Sequence, residues 1–185
     1  MGSDDLDPQF SKVRRADRAV TDESWIREQF TQAAFVVIAT ERAGQPYALP
    51  FNFVLAPNER TLYIHTGHAG RFNENVAANN RVALTVARPG RLLPSDRAGA
   101  FGSEYASVVA FGKATLVEDM NEKRRALQML LDRFFPDHHS ERDYRPLTAG
   151  EIDSTAVYRV DITHWTGKRN EKPDRTDAIP FRPQS

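Results

Sequence analysis

The chain has 185 residues, 25 basic and 25 acidic side chains, no cysteine, and about 40% apolar residues. Its length suits one domain with a real core, and its balanced charge gives no global field to attract nucleic acid or an anionic membrane. The lack of cysteine excludes disulfides, zinc-thiolate and iron–sulfur sites and a cysteine nucleophile, and no apolar run nears the roughly 20 residues of a membrane span.

The first ten residues, MGSDDLDPQF, are acidic and polar, unlike a signal peptide, so a cytoplasmic protein is expected. Residues 1–12 are expected to form a mobile tail, 13–168 the domain, and 169–185 a second polar tail carrying three prolines. Asp22 can cap a helix reaching about Gln32, with Trp25, Ile26, Phe30 and Ala33 as its apolar stripe. Phe35 to Thr40 reads as a buried strand, Glu41-Arg42-Ala43-Gly44 as a hairpin turn, and Gln45 to Ala56 as the partner strand. Pro46 and Pro50 cannot donate to a ladder, so that partner has an edge, a bulge or a ligand-facing side.

Residues 57–60 turn into a strand from Thr61, where Leu62 and Ile64 alternate with Thr61, Tyr63 and His65. The strand breaks into Thr66-Gly67-His68-Ala69-Gly70, and Arg71 opens a short helical segment. Strand, glycine-bearing loop and helix start can cradle an anion, because the first helical N–H groups lack partners and carry partial positive charge. A plain turn is the competing reading of so short a motif. Arg81 to Ala87 is the next strand, and residues 88–103, with two prolines and three glycines, read as a mobile loop or a lid.

Tyr105 to Glu118 reads as a long strand with a bulge or bend at Gly112. Asp119 and Glu122 form a capping-box pattern for a helix to about Phe134, with Met120, Leu127, Leu130, Leu131 and Phe134 on one face as core or dimer packing. Residues 136–146 are loop-like, Ser154 to Thr163 is the last strand, and residues 164–168 close it. Five or six meandering strands with marginal helices predict a mainly β protein, a small antiparallel barrel.

Five blocks occur in order: VRRADRAVTDESWIREQF, QPYALPFNF, LYIHTGHAGRF, YASVVAFGKATLVED and ITHWTGK. Together they resemble the pyridoxamine 5'-phosphate oxidase-like FMN-binding split barrels, in particular the branch named for 5-nitroimidazole antibiotic resistance. The likeness runs from about Val13 to Lys168. It implies a six-stranded antiparallel split β-barrel that forms a homodimer with FMN at the subunit interface. It further implies that backbone groups of Leu49, Pro50, Phe51, Asn52 and Phe53 run beside the isoalloxazine ring. His65, Thr66, Gly70 and Arg71 would hold the phosphate side. The strand containing Ser107 would lie near the cofactor, and Trp165 and Lys168 would approach from the partner subunit. One departure stands out. Many relatives carry lysine where this chain has Phe72, so Lys168, Lys113 or Arg81 would have to supply the cation, or another flavin or deazaflavin would bind. The strand 45–53 also lacks the basic residues of the pyridoxamine oxidases, which argues against that activity.

His65 is the candidate catalytic residue, placed to orient an acceptor; a water-facing strand end is the alternative. Asn52 is either a flavin-facing amide or solvent-facing. Ser107 is a flavin donor or a barrel filler, Trp165 a flavin wall or dimer packing, and Lys168 a phosphate partner or a tail lysine. His68 reads as a loop residue. His138 and His139 are adjacent, point apart and suit a solvated loop better than a metal site. No serine–histidine–carboxylate arrangement is supported, which suits a protein whose cofactor carries the chemistry. The resemblance implies an FMN-dependent oxidoreductase passing hydride or electrons to a small planar acceptor, a nitroaromatic among the options. The alternatives are a non-catalytic flavin-binding or sensing module, or a haem-binding barrel using His65 or His164.

Overall fold

The computed structural model describes residues 10, 12–57 and 60–182, so most of the expected tail 1–12 lies outside the described residues. In order, the elements are β1 (Ala19–Val20), α1 (Glu23–Gln32), β2 (Val36–Arg42), β3 (Gln45–Phe51), β4 (Phe53–Leu55) and β5 (Thr61–Thr66). They continue with α2 (Arg71–Ala78), β6 (Arg81–Leu93), β7 (Gly102–Leu116), α3 (Met120–Phe134), α4 (Ala149–Asp153) and β8 (Ala156–Asn170). The short β1 and β4 leave β2, β3, β5, β6, β7 and β8 as six principal strands. The chain divides into two compact units, one of residues 34–84 and 111–163, the other of 1–33, 85–110 and 164–185; β6, β7 and β8 contribute a part to each.

In the 34–84/111–163 unit the strand order is β3-β2-β6-β7-β8-β5-β4. β2 and β3 pair antiparallel from Val36↔Phe51 to Arg42↔Gln45. Their turn puts Ala43 at φ 53° and Gly44 at φ 81°, the two positive angles that match a tight hairpin to strand twist. Pro46 and Pro50 lie on β3, an edge strand, where a missing donor breaks no second ladder. β3 and β4 stand at opposite ends of the order, yet only Asn52 separates them in the chain. A sheet whose two edges are joined by one residue must curl until those edges are neighbours. No ladder joins them among the described residues, so the barrel is split. Its interior holds Val36, Ile38, Phe53, Leu62, Ile64, Leu84 and Val160, all fully or almost fully buried. Each such side chain contributes about 1.5–3 kcal/mol.

Two expectations change in this unit. β2 buries only alternate residues, leaving Val37 at 37% exposure, so it is not covered on both faces. α3 covers one face of β5, where Tyr63 packs with Val117, Ala126, Leu127, Leu130 and Val157. The capping box of α3 is half formed. Asp119 accepts from the Glu122 N–H at 2.7 Å, but the Glu122 carboxylate turns to the Tyr63 hydroxyl at 2.9 Å and to Arg159 at 3.2 Å. Met120 therefore sits outside the buried face, at 38% exposure, while Lys123, Ala126, Leu127 and Leu130 form it. A complete box, Thr148 with Glu151, starts α4, a helix that the sequence analysis left unassigned.

In the other unit, Asp22 caps α1 through the Trp25 N–H at 2.7 Å, and Ile26 and Phe30 are fully buried. β1 pairs with β8 at Ala19↔Lys168 and Val20↔Gly167. The expected loop at 88–103 is mostly strand, because β6 runs to Leu93 and β7 starts at Gly102. Its charges hid the ladder by pairing across it: Arg91 donates to both Glu104 oxygens at 2.7 Å. β8 likewise continues through 164–170 instead of closing at 168. Beyond it the chain passes through two turns, at 173–174 and 176–177, with Lys172 N–H bonded to Glu104 at 2.7 Å and Ile179 bridged to Leu92.

Gly112 marks a close approach of strands. A Cβ there would run into the Asp161 carbonyl, which cannot retreat without breaking β8. Gly112→Ala is expected to destabilise the protein by about 1–3 kcal/mol. Urea unfolding should show a lower midpoint with an unchanged slope; an unchanged midpoint would contradict the close approach.

Candidate functional site

The alternation of β5 sorts the candidate residues. Leu62 and Ile64 point into the barrel, so Tyr63 and His65 share the face under α3 and Thr66 returns to the inner face. His65 and Asn52 meet in the wall of a pocket of about 390 Å³. Leu127, Leu130, Leu131 and Phe134 of α3 form most of its apolar lining, with Phe135 and Leu147, and Thr155 and Glu151 add polar edges. His65 is accessible to solvent, yet the pocket strips part of its hydration and lowers its pKa. Glu151 is already satisfied. Arg145 donates to its two oxygens at 2.7 and 2.8 Å and Thr148 caps it, which holds its pKa down to about 2. The pocket therefore presents a neutral imidazole and an amide against hydrocarbon.

The other candidates of this unit gather at the barrel mouth. Gly70 caps α2 at φ 129°, a backbone angle that suits glycine. Arg71 is exposed, its guanidinium 5.1 Å from the Tyr47 ring centre. Phe72, only 3% exposed, turns inward and meets Phe51 and Tyr158 edge-on at 4.8 and 5.2 Å. Position 72 is thus a plug, and a cation there would sit in the aromatic cluster rather than at the loop. Asn73 locks the loop, donating to Gly67 O at 2.9 Å and accepting from the Tyr158 hydroxyl at 2.7 Å. On β3, Leu49 and Phe51 share the half-buried face of Tyr47, and Pro50 is on the exposed one. Phe53 is fully buried, so only its backbone is available to a ligand.

Ser107, Trp165 and Lys168 belong to the other unit. Trp165 is 9% exposed, 6.1 Å from the Phe30 ring with the Arg27 guanidinium over it at 5.2 Å, so it packs within its own chain. Ser107 donates to the Lys168 carbonyl at 3.4 Å, and the Lys168 ammonium lies 5.5 Å from the Tyr105 ring centre. His68 contacts the Asp153 carbonyl at 2.9 Å, and His138 stacks edge-on to Phe135.

Sequence reasoning missed Tyr47, Asn73 and Tyr158, since nothing local marks an aromatic platform or a loop staple. It saw the Leu127–Phe134 stripe but assigned it wholly to packing. A helical stripe looks the same whether it faces a core or a pocket, and this one does both.

An antiparallel sheet curled to a one-residue joint, plugged by a short helix and flanked by an apolar pocket, defines a split β-barrel. A family model for pyridoxamine 5'-phosphate oxidase matches residues 20–169, and the chain belongs to that family. A solved candidate 5-nitroimidazole antibiotic resistance protein from Bacteroides thetaiotaomicron is 26% identical, with a TM-score of 0.68 over 83% of this chain and 90% of its own. The flavocytochrome Anf3 from Azotobacter vinelandii superposes with a TM-score of 0.78 at 23% identity, covering 95% of this chain and 86% of its own. An FAD and haem binding protein from Mycobacterium smegmatis gives 0.75 at 21% identity, covering 90% and 77%. The last two support the fold alone. No curated protein matches the chain. Among the described residues no helix is long and apolar enough to cross a membrane.

The His65 environment makes a signed prediction. Its folded pKa lies below the ordinary 6.5, so on acidification the unfolded chain takes up the proton first. The contribution of His65 to stability falls as pH drops through 6.5 towards the folded value and is level above that interval. An NMR titration should place the His65 midpoint below 6.5; a midpoint at or above 6.5 would put the ring in open water.

Proposed function

We propose that the chain is a flavin-dependent oxidoreductase that binds FMN and reduces a small planar acceptor. The pocket walled by Asn52 and His65 is the observation that carries this reading. Its volume lies within the roughly 300–1,000 Å³ of typical small-ligand clefts. Its hydrocarbon wall suits a flat tricyclic ring, and the Asn52 amide and neutral His65 suit that ring's polar edge. The loop after His65 leads to the start of α2, where Arg71 and the first-turn N–H groups suit a phosphate. A flavin, when bound, supplies the hydride and one-electron chemistry. The protein's own part is to strip water from the pocket, hold the ring edge through Asn52, and offer an acceptor one donor and one lone pair on His65. A nitro group, planar and accepting, suits that imidazole, and the similarity to the Bacteroides protein points the same way.

We also propose a homodimer. The outward face of β2 and β3 presents Val37 opposite Pro50 and Ala39 opposite Ala48, beside Phe35 at 58% exposure. An apolar patch of this kind favours burial against a second copy.

The purified protein should be yellow, with absorbance bleached by dithionite. Arg71→Ala is expected to weaken FMN binding by about 1.5–3 kcal/mol, roughly ten- to hundred-fold. A colourless protein that takes up no FMN would overturn the proposal, and a Soret band on haem addition would favour the haem alternative. Val37→Lys should convert a dimer to a monomer in light scattering; a wild-type monomer would remove the dimer proposal.

A further inference from the structure

We propose that Arg18, Tyr105 and Lys168 form a binding site for the phosphoryl end of a ligand. Three elements bring these groups together: the turn at 16–18, β7 and β8. The Arg18 Nη1 donates to the Tyr105 hydroxyl at 3.1 Å, and the Lys168 ammonium lies 5.5 Å from the same ring centre. Two cations thus flank one phenol on a half-buried surface.

The one acid that pairs with Arg18 is shared with another cation. Asp17 is the nearest acid, 4.0 Å from Arg18, but Arg15 already holds it through two bonds of 2.8 and 2.7 Å. Glu104, next to Tyr105 in sequence, is on the opposite, buried face of β7 and is occupied by Arg91. Glu171 pairs with Arg169 at 3.6 Å. Among the described residues no carboxylate lies within salt-bridge distance of the Lys168 ammonium. Counting Arg15, Asp17, Arg18 and Lys168, three positive charges meet one negative. Arg18 also borders a polar pocket of about 290 Å³, which Arg169 and Lys172 line together with Asp17 and Glu171.

The donor set selects among anions. The set combines a planar guanidinium fork, a point-charge ammonium and a phenol hydroxyl. That suits a tetrahedral phosphoryl group better than a flat carboxylate, which one fork alone satisfies. The acidity of Tyr105 is consistent with the site: burial would raise its pKa, but hydrogen bonds from Arg18 and Lys168 outweigh that and lower it. The Tyr105 oxygen accepts from Arg18, which leaves its own O–H to donate to an incoming anion.

The test uses inorganic pyrophosphate on the full-length protein at low ionic strength, by calorimetry and by the tyrosinate absorbance at alkaline pH. One pyrophosphate should bind here per chain, with acetate weaker by about tenfold or more, and saturation should raise the ionisation midpoint of one tyrosine. Tyr105→Phe should abolish that optical shift. Arg18→Gln and Lys168→Gln should each weaken binding by about tenfold, Lys168→Arg should restore most of it, and Arg14→Gln should change nothing. Arg71→Ala, which tests the flavin reading, should leave the Tyr105 shift intact, so the two ideas fail separately. Wild-type affinity in both Gln variants, acetate binding as tightly as pyrophosphate, or a Tyr105 shift lost in Arg71→Ala would overturn the site.

Discussion

The structure of the 34–84/111–163 unit depends on a covalent constraint at Asn52. β3 and β4 are consecutive in the chain and lie at opposite ends of the sheet, so the sheet can satisfy both ladders only by curling back on itself. The interior then fills with Val36, Ile38, Phe53, Leu62 and Ile64, whose burial supplies the driving force for closure. No ladder spans the joint among the described residues, and Asn52 is exposed at the split. The sole polar side chain between two aromatic residues thus ends up in a ligand-sized pocket rather than in a core.

The two faces of β5 divide the candidate chemistry. Under α3, an apolar wall lowers the pKa of a histidine that solvent still reaches. At the barrel mouth, α2 plugs the interior with Phe72 and leaves Arg71 outside on Tyr47. The apolar lining and the exposed guanidinium thus lie on opposite sides of one strand. That separation keeps the guanidinium out of the apolar pocket, where burying its charge would be costly. A net charge of zero over the whole chain conceals this local sorting, as it conceals the cationic pair around Tyr105 in the other unit.

Much of the local structure was legible. The Asp22 cap, the Ala43-Gly44 turn, the edge character implied by Pro46 and Pro50, and the strand–loop–helix from Thr61 to Ala78 all follow from short-range chemistry and are present. The errors share one cause. Residues 88–103 looked like a loop because proline, glycine and charge are read one at a time, whereas Arg91 and Glu104 neutralise each other only across a formed ladder. Glu122 looked like a capping residue because its spacing from Asp119 is local, whereas Tyr63 and Arg159 compete for it from other strands. Gly112 read as a bulge or bend from its own residue type alone, whereas the close approach of the Asp161 carbonyl is set by another strand.

By itself the sequence determined the periodicities, caps and turns, the absence of thiol chemistry, and the order of blocks that marks the family, because each depends on neighbours within a few residues. The tertiary structure alone decided which face of β5 would be covered, that Phe72 would be a plug, that Trp165 would pack on Phe30, and that Asn52 and His65 would share a pocket. Those outcomes follow from contacts between residues far apart in the chain, and they exist only once the sheet has closed.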